Sequence, residues 1–375
     1  MSCSSRYLLA VCLTCVAACA TPGARPPSTA DEDHADRDAR LQELVGRLAR
    51  PPFGTGAVLS IAENGRIHTY SAGTVRTGGP AVGDDTPFQW ASVSKLLTAA
   101  RVVTLAHEGR LGLDDTVRRH LPGVTLLDER GHDRAAEITL RQLLSHRAGL
   151  PHQPPSLDPA GVGSSWDDPD LLRKLSSSWS VPLVRTPGAY GYSNLGYALL
   201  AAVIEEVEGR SFATAMEPFL HRLGMTEATF WPAGLGERAA RGRVERDGSE
   251  HFLAPEWYGS RYALPFTGLW ATSEDLVRFG QTLIAATPDE RAPLHAMATP
   301  AIDRGHGPGP VVRTRHGHRS LEHDGAGPGF TAWLVAVPDL NLVVALACNA
   351  DGESGDRARQ VAAVTDEILA LLLAR

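Results

Sequence analysis

The sequence predicts an α/β (α+β) fold: an antiparallel β-sheet built from both chain ends with flanking helices, plus an inserted, mostly helical subdomain. Two strand-like segments at residues 57–61 and 67–71 flank Asn64-Gly65, a dipeptide typical of β-hairpin turns. Near the other end, three strand patterns follow one another at residues 320–324, 329–336 and 342–347. Between the two groups the apolar spacing is mainly helical. A single sheet must therefore join distant parts of the chain.

Helices are predicted wherever apolar residues recur at spacings of three and four. Thr139 is expected to cap one of them, and Gly149 and Pro151 are expected to end it. Residues 152–168 predict a long loop, and residues 231–262 predict an irregular stretch. The predicted helices cover residues 39–48, a segment from 93, a short segment after 109–115, and residues 138–146, 195–207, 212–223, 273–286 and 356–373.

The beginning of the chain has the pattern of an export signal. Arg6 precedes an apolar run over residues 7–18, and small residues then lead to Cys19. This pattern resembles a bacterial lipobox, which implies a lipoprotein-type signal peptide, lipidation of Cys19 and a membrane anchor facing the periplasm or cell exterior. Plain secretion is the alternative. The predicted organisation is a signal peptide at 1–18, a flexible tether at 19–42, and a domain at 43–375 with its sheet region at about 43–110 and 305–375 and its helical region at about 111–304.

The composition limits the possible classes of function. The chain has 375 residues, of which 43% are hydrophobic and 21% charged, so it can bury a large core. Its net charge of −7 argues against a nucleic-acid partner. Of five cysteines, three would leave with the signal peptide, Cys19 would carry lipid, and Cys348 would remain as a core residue in an apolar strand. We therefore expect no disulfide framework, and we predict no metal or cofactor.

Ser92 and Lys95 are the strongest candidates for chemistry. A helix is predicted to begin beside Ser92, and a spacing of three residues returns Lys95 to the same face. A hydroxyl becomes a good nucleophile when a neighbour takes its proton, which a desolvated lysine can do and an arginine cannot. Lys95 and Lys174 are the two lysines among 36 Lys and Arg residues. The alternative is an ordinary helix start with a serine cap and a solvated lysine.

Two shorter motifs follow downstream, Tyr192-Ser193-Asn194 and His323-Asp324-Gly325. Each has a purely structural alternative. Tyr192 could pack at the start of the helix predicted at 195–207, with Asn194 as its N-cap. His323 could be a surface histidine. The four histidines between residues 306 and 323 do not predict a metal site, because alternation along a strand sends neighbours to opposite faces.

In this order and spacing, the three motifs resemble those of the serine β-lactamase and penicillin-binding protein superfamily. The Tyr-x-Asn form resembles the class C β-lactamase branch, which includes D-Ala-D-Ala carboxypeptidases, D-aminopeptidases and family VIII esterases. The resemblance implies the β-lactamase/DD-peptidase fold. It covers nearly all of residues 44–375, and it includes the segments 85–88, 109–115, 143–150, 187–188, 268–279 and 323–330.

The resemblance implies a role for each motif residue. Ser92 would attack a carbonyl carbon and form an acyl-enzyme. Lys95 would be its general base, or it would hold Tyr192 as a phenolate that acts as the base. Asn194 would bond the substrate amide or position Lys95.

The third motif would line the substrate site. The oxyanion would lie between the backbone N–H groups of the nucleophile and of Ala326, beside His323 and Gly325. Where β-lactamases carry Lys-Thr-Gly, this chain has His-Asp-Gly. A histidine is cationic only part of the time near neutral pH, which argues against efficient β-lactam hydrolysis. Arg315 and Arg319 are the alternative sources of positive charge.

The predicted function is a serine hydrolase that acts through an acyl-enzyme on a D-amino-acid peptide, such as a cell-wall peptide, or on a small ester. One alternative is a β-lactamase proper. Another, of a different class, is a catalytically idle module that binds wall peptide. An α/β-hydrolase is disfavoured, because the nearest candidate, residues 191–195, lacks the final glycine of the G-x-S-x-G motif. The sequence carries no signal for the oligomeric state.

Overall fold

The computed structural model describes residues 29–153, 172, 179–285, 294, 296–297, 306–353 and 355–374. The chain divides into two units, residues 1–39 and 40–375. In chain order, the helices and strands of the described residues are α1 (Thr29–Leu48), β1 (Gly56–Glu63), β2 (Arg66–Gly73), β3 (Phe88–Gln89), α2 (Ser94–His107), α3 (Val117–His120), β4 (Thr125–Leu127), α4 (Leu140–Leu144), β5 (Ser180–Pro182), α5 (Asn194–Glu208), α6 (Phe212–Arg222), β6 (Gly242–Arg246), β7 (Ser249–Leu253), α7 (Leu264–Thr267), β8 (Trp270–Ala271), α8 (Ser273–Ile284), β9 (Val311–Arg315), β10 (His318–Gly327), β11 (Phe330–Val337), β12 (Leu342–Cys348) and α9 (Gly355–Leu373).

Six antiparallel strands form the main sheet, in the order β2-β1-β12-β11-β10-β9. The two ends of the chain meet where β1 pairs with β12, with Ala57 opposite Cys348. Helices α2 to α8 all lie between β2 and β9 in the chain. This arrangement confirms the predicted fold class.

Both faces of the sheet are covered, and the central strands are apolar on both sides. Along β12, Val343 and Ala345 belong to the core shared with α8, which also contains Leu276. Val344 and Leu346 belong to a second core, which contains Leu41 and Leu48 of α1 and Ile368 and Leu372 of α9. Because successive side chains alternate between faces, a continuous apolar run is required here. Cys348 is fully buried in the second core, as expected.

Two local signals in the sequence give the expected structures. Asn64 and Gly65 both have positive φ, 52° and 75°, which is the requirement of the tight hairpin turn between β1 and β2. Thr139 Oγ1 accepts a hydrogen bond from Gln142 N at 3.3 Å, and Gln142 Oε1 accepts one from Thr139 N at 2.9 Å. These reciprocal bonds form a capping box at the start of α4.

Several elements differ from the sequence predictions, chiefly in three regions. Helix α1 begins at Thr29, ten residues before the predicted start, and thus includes residues 29–42 of the predicted flexible tether. The segment contains Ala, Arg, Glu and Leu, which favour a helix, but its first half lacks the apolar periodicity that would predict one. The irregular stretch 231–262 contains the hairpin β6–β7, and β9 precedes the predicted strands. Both carry charged residues at exposed positions, so the apolar alternation is weak.

Other sequence predictions fall on residues that the structure does not describe. The signal peptide at 1–18, Cys19 and the tether as far as residue 28 lie outside the described residues. So does the predicted loop 152–168 from residue 154 onward. Within the described part of the chain, no helix combines the length and the apolar composition needed to cross a bilayer.

Candidate active site

Ser92 lies in a 3-10 turn, Ala91–Val93, that leads directly into α2. The preceding residue, Ala91, has φ +43°, a region that residues with a Cβ rarely adopt. Two hydrogen bonds hold it there: Ala91 N donates to Gln89 Oε1 at 3.2 Å, and Ala91 O accepts from Ser94 Oγ at 2.6 Å. The backbone that presents the Ser92 hydroxyl is therefore fixed by its own neighbours.

Lys95 is fully buried, and its Nζ lies 3.0 Å from Ser92 Oγ. The amine also donates to the carbonyl oxygen of Phe266 at 3.1 Å and lies 4.9 Å from the centre of the Tyr192 ring. Burial lowers the Lys95 pKa well below its ordinary value, against the opposing effect of the Asp324 charge. Desolvation therefore favours the neutral amine, which can accept the Ser92 proton.

Tyr192 lies beside Lys95, and its hydroxyl has a side-chain hydrogen bond with Ser92. Its ring stacks on His146, with ring centres 4.3 Å apart. Burial raises the Tyr192 pKa, although the bond to Ser92 opposes the shift. Moving one proton from Tyr192 to Lys95 leaves the total charge unchanged but creates two buried ions. Burial thus favours the neutral pair, and of the two bases considered from the sequence it favours the Lys95 amine.

Asn194 is the first residue of α5, and the N-cap is its neighbour Ser193. Ser193 Oγ accepts a hydrogen bond from Gly196 N at 3.0 Å and donates one to Pro151 O at 2.7 Å. The structural alternative for Asn194, a helix cap, is therefore wrong. Among the described residues, its Oδ1 atom is buried without a hydrogen-bond partner. The amide oxygen is available to a ligand.

The end of β10 brings a backbone edge against the nucleophile. Strand β9 pairs with residues 318–322, and within the described part of the chain no strand pairs with residues 323–327 on that side. A Cβ placed on Gly325 would lie 2.5 Å from the carbonyl oxygen of Trp90 and 3.3 Å from Ser92 N. A glycine is needed for this close approach. Ala326 follows on the same edge and is exposed.

His323 is 3% exposed, so the surface-histidine alternative is wrong. Its Nδ1 lies 2.6 Å from the backbone oxygen of Asp324. A carbonyl oxygen can only accept, so Nδ1 carries the proton and Nε2 carries a lone pair. Burial lowers the His323 pKa to about 4, against the opposing charge of Asp324. A neutral imidazole therefore occupies the motif position, 6.5 Å from the Tyr192 ring between ring centres.

The buried His146, the half-buried His306 and Tyr190 also belong to the site, but the sequence did not assign them to it. His146 is 2% exposed, and its Nδ1 accepts a hydrogen bond from Ser193 N at 3.1 Å. His306 Nε2 lies 2.8 Å from the Tyr190 hydroxyl. Burial lowers the pKa of both histidines, that of His306 to about 4. His146 lies within the segment 143–150 that carries the family resemblance, and this was the available signal.

A family model described as Beta-lactamase matches residues 33–367. The chain belongs to the β-lactamase family. Penicillin-binding protein 4 of Amycolatopsis lactamdurans is 30% identical over 335 residues, which are 83% of this chain and 85% of that protein. Esterase EstB of Burkholderia gladioli is 30% identical over 220 residues, 56% of each chain.

The fold of this β-lactamase family member is also similar to that of a solved structure. The D-amino acid amidase of Ochrobactrum anthropi SV3, complexed with L-phenylalanine amide, has a TM-score of 0.71 and 22% identity. The match covers 90% of this chain and 99% of the amidase. The family match and the curated relatives confirm that the chain is a serine hydrolase.

The sequence suggested Arg315 and Arg319 as alternative sources of positive charge in this family member. Neither places its guanidinium beside His323. Arg315 Nη2 lies 3.0 Å from Glu322, and its Nη1 lies 2.8 Å from Asp366. Arg319 precedes His323 by four residues, which is about 13 Å along a strand. The histidine thus stands in place of the lysine of the β-lactamase motif without a substitute cation from either residue.

Proposed function

We propose that this family member hydrolyses an amide or ester bond through an acyl-enzyme on Ser92, and that its substrate is a D-amino-acid peptide or a small ester. The observation that carries the proposal is a fully buried Lys95 whose amine lies 3.0 Å from Ser92 Oγ. Burying a lysine is costly, and the cost is smallest for the neutral amine that a general base requires.

In this mechanism, Ser92 Oγ attacks the carbonyl carbon of the substrate while Lys95 Nζ takes the hydroxyl proton. The negative oxygen of the tetrahedral intermediate is bound by the N–H groups of Ser92 and Ala326. As the intermediate collapses, the Tyr192 hydroxyl donates its proton to the leaving nitrogen or oxygen and recovers one from Lys95. Water then attacks the acyl-enzyme by the same steps, and Ser92 is released with its proton.

Several features support a peptidase or esterase over a β-lactamase, the second candidate. His323 is neutral where β-lactamases carry a lysine, so a substrate carboxylate loses its cationic partner. The relatives that align with this chain include a protein named as an esterase and one named as a penicillin-binding protein. Asn194 Oδ1 is available to the N–H of a peptide substrate.

The test is labelling of the nucleophile, followed by intact mass. The purified protein and Ser92→Ala are incubated with a fluorophosphonate and, separately, with a penicillin. We expect a fluorophosphonate adduct on the wild-type protein and none on Ser92→Ala, because only an activated hydroxyl reacts. A long-lived penicillin adduct would favour a penicillin-binding peptidase, and rapid penicillin turnover would favour a β-lactamase. A folded protein that gives no adduct with either reagent would overturn the proposal and favour the idle binding module.

A further inference from the structure

His146 contacts the chain on both sides of Tyr192. Its carbonyl oxygen accepts a hydrogen bond from Gly191 N at 2.8 Å, and its ring Nδ1 accepts one from Ser193 N at 3.1 Å. The imidazole also stacks on the Tyr192 ring, with 4.3 Å between ring centres and 29° between the ring planes. A single residue therefore holds the tyrosine ring and the backbone N–H groups of the residues before and after it.

The backbone of His146 has an unusual conformation that allows these contacts. Helix α4 ends at Leu144, and His146 has φ +58°, a region that residues with a Cβ rarely adopt. Two bonds back to α4 hold the turn: His146 N donates to Leu143 O at 3.2 Å, and Arg147 N donates to Gln142 O at 2.7 Å. Backbone strain of this kind is commonly found where a side chain must be placed for function.

The same segment of chain binds the rest of the second motif. Ser193 Oγ donates to Pro151 O at 2.7 Å, and Asn194 N donates to His152 O at 2.9 Å. The residues on either side of Tyr192 are thus bonded to the segment 146–152. The stacked imidazole adds a contact to the tyrosine ring itself, beyond what these backbone bonds provide.

The imidazole of His146 is suited to holding its neighbours and not to moving a proton. The N–H of Ser193 can only donate, so Nδ1 carries the lone pair and Nε2 carries the proton. The residue is 2% exposed, and burial together with the nearby Lys95 lowers its pKa well below the ordinary value. A proton on Nδ1 would also break the bond to Ser193.

We propose that His146 is a positioning residue, which uses its carbonyl oxygen, its Nδ1 and its ring face to hold Tyr192 where the phenol can protonate the leaving atom. The inference rests on the acyl-enzyme mechanism proposed above and adds a residue that lies outside the three motifs. A displacement of about 1 Å at a reacting group commonly costs about a hundredfold in rate, so this support matters for the reaction.

The effect of His146 should appear in the dependence of the rate on the leaving group. The substrates are p-nitrophenyl, p-chlorophenyl and phenyl acetate, which form the same acetyl-enzyme and differ only in the group that leaves. A nitrophenolate leaves readily without a proton, whereas the more basic phenolate depends on a proton donor. We therefore expect kcat/KM of the wild-type protein to fall only weakly from the first acetate to the last.

His146→Gly removes the ring and Nδ1 and adopts a positive φ without strain. The ratio of kcat/KM for p-nitrophenyl acetate to that for phenyl acetate should rise about tenfold to a hundredfold, a part of the roughly 10²–10⁴ that a positioned proton donor contributes. His146→Asn also tolerates a positive φ, and its Oδ1 lies as far along the side chain as Nδ1, so it keeps an acceptor for Ser193 N. This variant should recover most of the wild-type ratio.

Two further variants separate positioning from a general loss of structure. Tyr197→Phe removes another hydrogen bond between the same two parts of the chain, from the Tyr197 hydroxyl to Leu144 O at 3.0 Å, and should leave the ratio unchanged. Tyr192→Phe lacks the proton donor and should have a high ratio. Adding His146→Gly to Tyr192→Phe should not raise this ratio further, because the effect of His146 passes through the tyrosine hydroxyl.

Thermal melting and fluorophosphonate labelling are measured for every variant. If His146→Gly does not fold, His146→Gln replaces it, since the glutamine amide fills space but lies one bond too far to supply the Nδ1 acceptor. An equal fall in kcat/KM for all three acetates would mean that His146 is only structural, and the inference would be wrong. His146→Asn with the same high ratio as His146→Gly would contradict the role of Nδ1. A wild-type protein that is neither labelled nor active would instead overturn the acyl-enzyme proposal itself.

Discussion

At the scale of single residues, the site is dominated by groups that burial keeps neutral. The charged forms of Lys95, Tyr192 and His323 would each have little solvent around them. Burial therefore lowers the pKa of Lys95 and of His323 and raises the pKa of Tyr192. A lysine in water is protonated and cannot act as a base at neutral pH. The environment of Lys95, and not its identity alone, gives it the chemistry that we assign to it.

This leads to a prediction for the pH dependence. Lys95 must be neutral to accept a proton, so kcat/KM for p-nitrophenyl acetate should rise with pH through the pKa of Lys95 in the free enzyme. Since burial lowers that pKa, the rise should occur well below the ordinary lysine value of 10.5. Asp324 opposes the shift, so Asp324→Asn should move the rise to lower pH.

The control for this measurement is Asp366→Asn. Asp366 is an exposed carboxylate on α9 that pairs with Arg315, outside the immediate surroundings of Lys95. Its removal should leave the profile in place. A rise that stays at the same pH, or moves upward, in Asp324→Asn would contradict the assignment of Lys95 as the titrating base.

At the scale of secondary-structure elements, β10 has two functions along its length. Its first half is an ordinary strand between β9 and β11, whereas residues 323–327, beside Ser92, have one edge that pairs with no strand among the residues the structure describes. An unpaired strand edge offers backbone N–H groups, which an oxyanion or a peptide can use. The position of Val311, the first residue of β9, opposite Glu322 thus determines where the candidate oxyanion site opens.

Gly325→Ala tests this close approach. The added methyl group would lie 2.5 Å from the Trp90 carbonyl oxygen, so the strand must move away from Ser92. We expect kcat/KM to fall about a hundredfold, since displacements of about 1 Å commonly have this effect. The matched control is Gly327→Ala on the same strand, whose methyl group would make an ordinary contact at 3.5 Å with Ala91 Cβ. The phosphonylation rate and the thermal melting of both variants are measured as well. Equal losses of activity in the two variants would exclude this role for Gly325.

At the scale of the whole molecule, an ionic cluster centred on a buried ion pair joins the helices that carry the first two motifs. Glu208, at the end of α5, is 4% exposed in its side chain and bonds Arg101 of α2. Arg110 and Arg210 add bonds at 2.9 and 2.8 Å. The cluster thus links the helix that contains Lys95 to the helix that follows Tyr192.

The cluster predicts a stability that depends on pH. Burial alone would raise the Glu208 pKa, but bonds from Arg210 and Arg101 outweigh it and lower the pKa to about 2, from 4.5. A lowered pKa contributes stability above about pH 4.5 that is lost as the pH falls toward 2. The free energy of unfolding of Glu208→Gln should therefore be about 3 kcal/mol lower than that of the wild-type protein at pH 7. This difference should shrink below pH 4.5.

Denaturant unfolding at several pH values measures this difference. Glu206→Gln, an exposed position on the same helix, is the matched control and should change the free energy of unfolding by less than about 0.5 kcal/mol. A deficit in Glu208→Gln that is equally large at pH 7 and pH 3 would assign the effect to packing and not to the charge.

The sequence by itself determined the features that depend on neighbours in the chain. The Asn64-Gly65 turn, the Thr139 capping box and the position of Lys95 one turn after Ser92 are local, because a turn or a helix start is set by a few adjacent residues. The motif order also predicted the fold and the serine hydrolase class, which the family match confirms.

The tertiary structure decided what depends on burial and on contacts between distant residues. Ser193, not Asn194, caps α5, and the carbonyl of Asp324 sets the tautomer of His323. His146 joins the site because folding stacks it beneath Tyr192. The free energy of a charged group depends on the solvent and on the groups near it in space. A sequence gives only the order of residues along the chain. For this reason the motifs could be predicted from the sequence, whereas the protonation states that give them their chemistry could not.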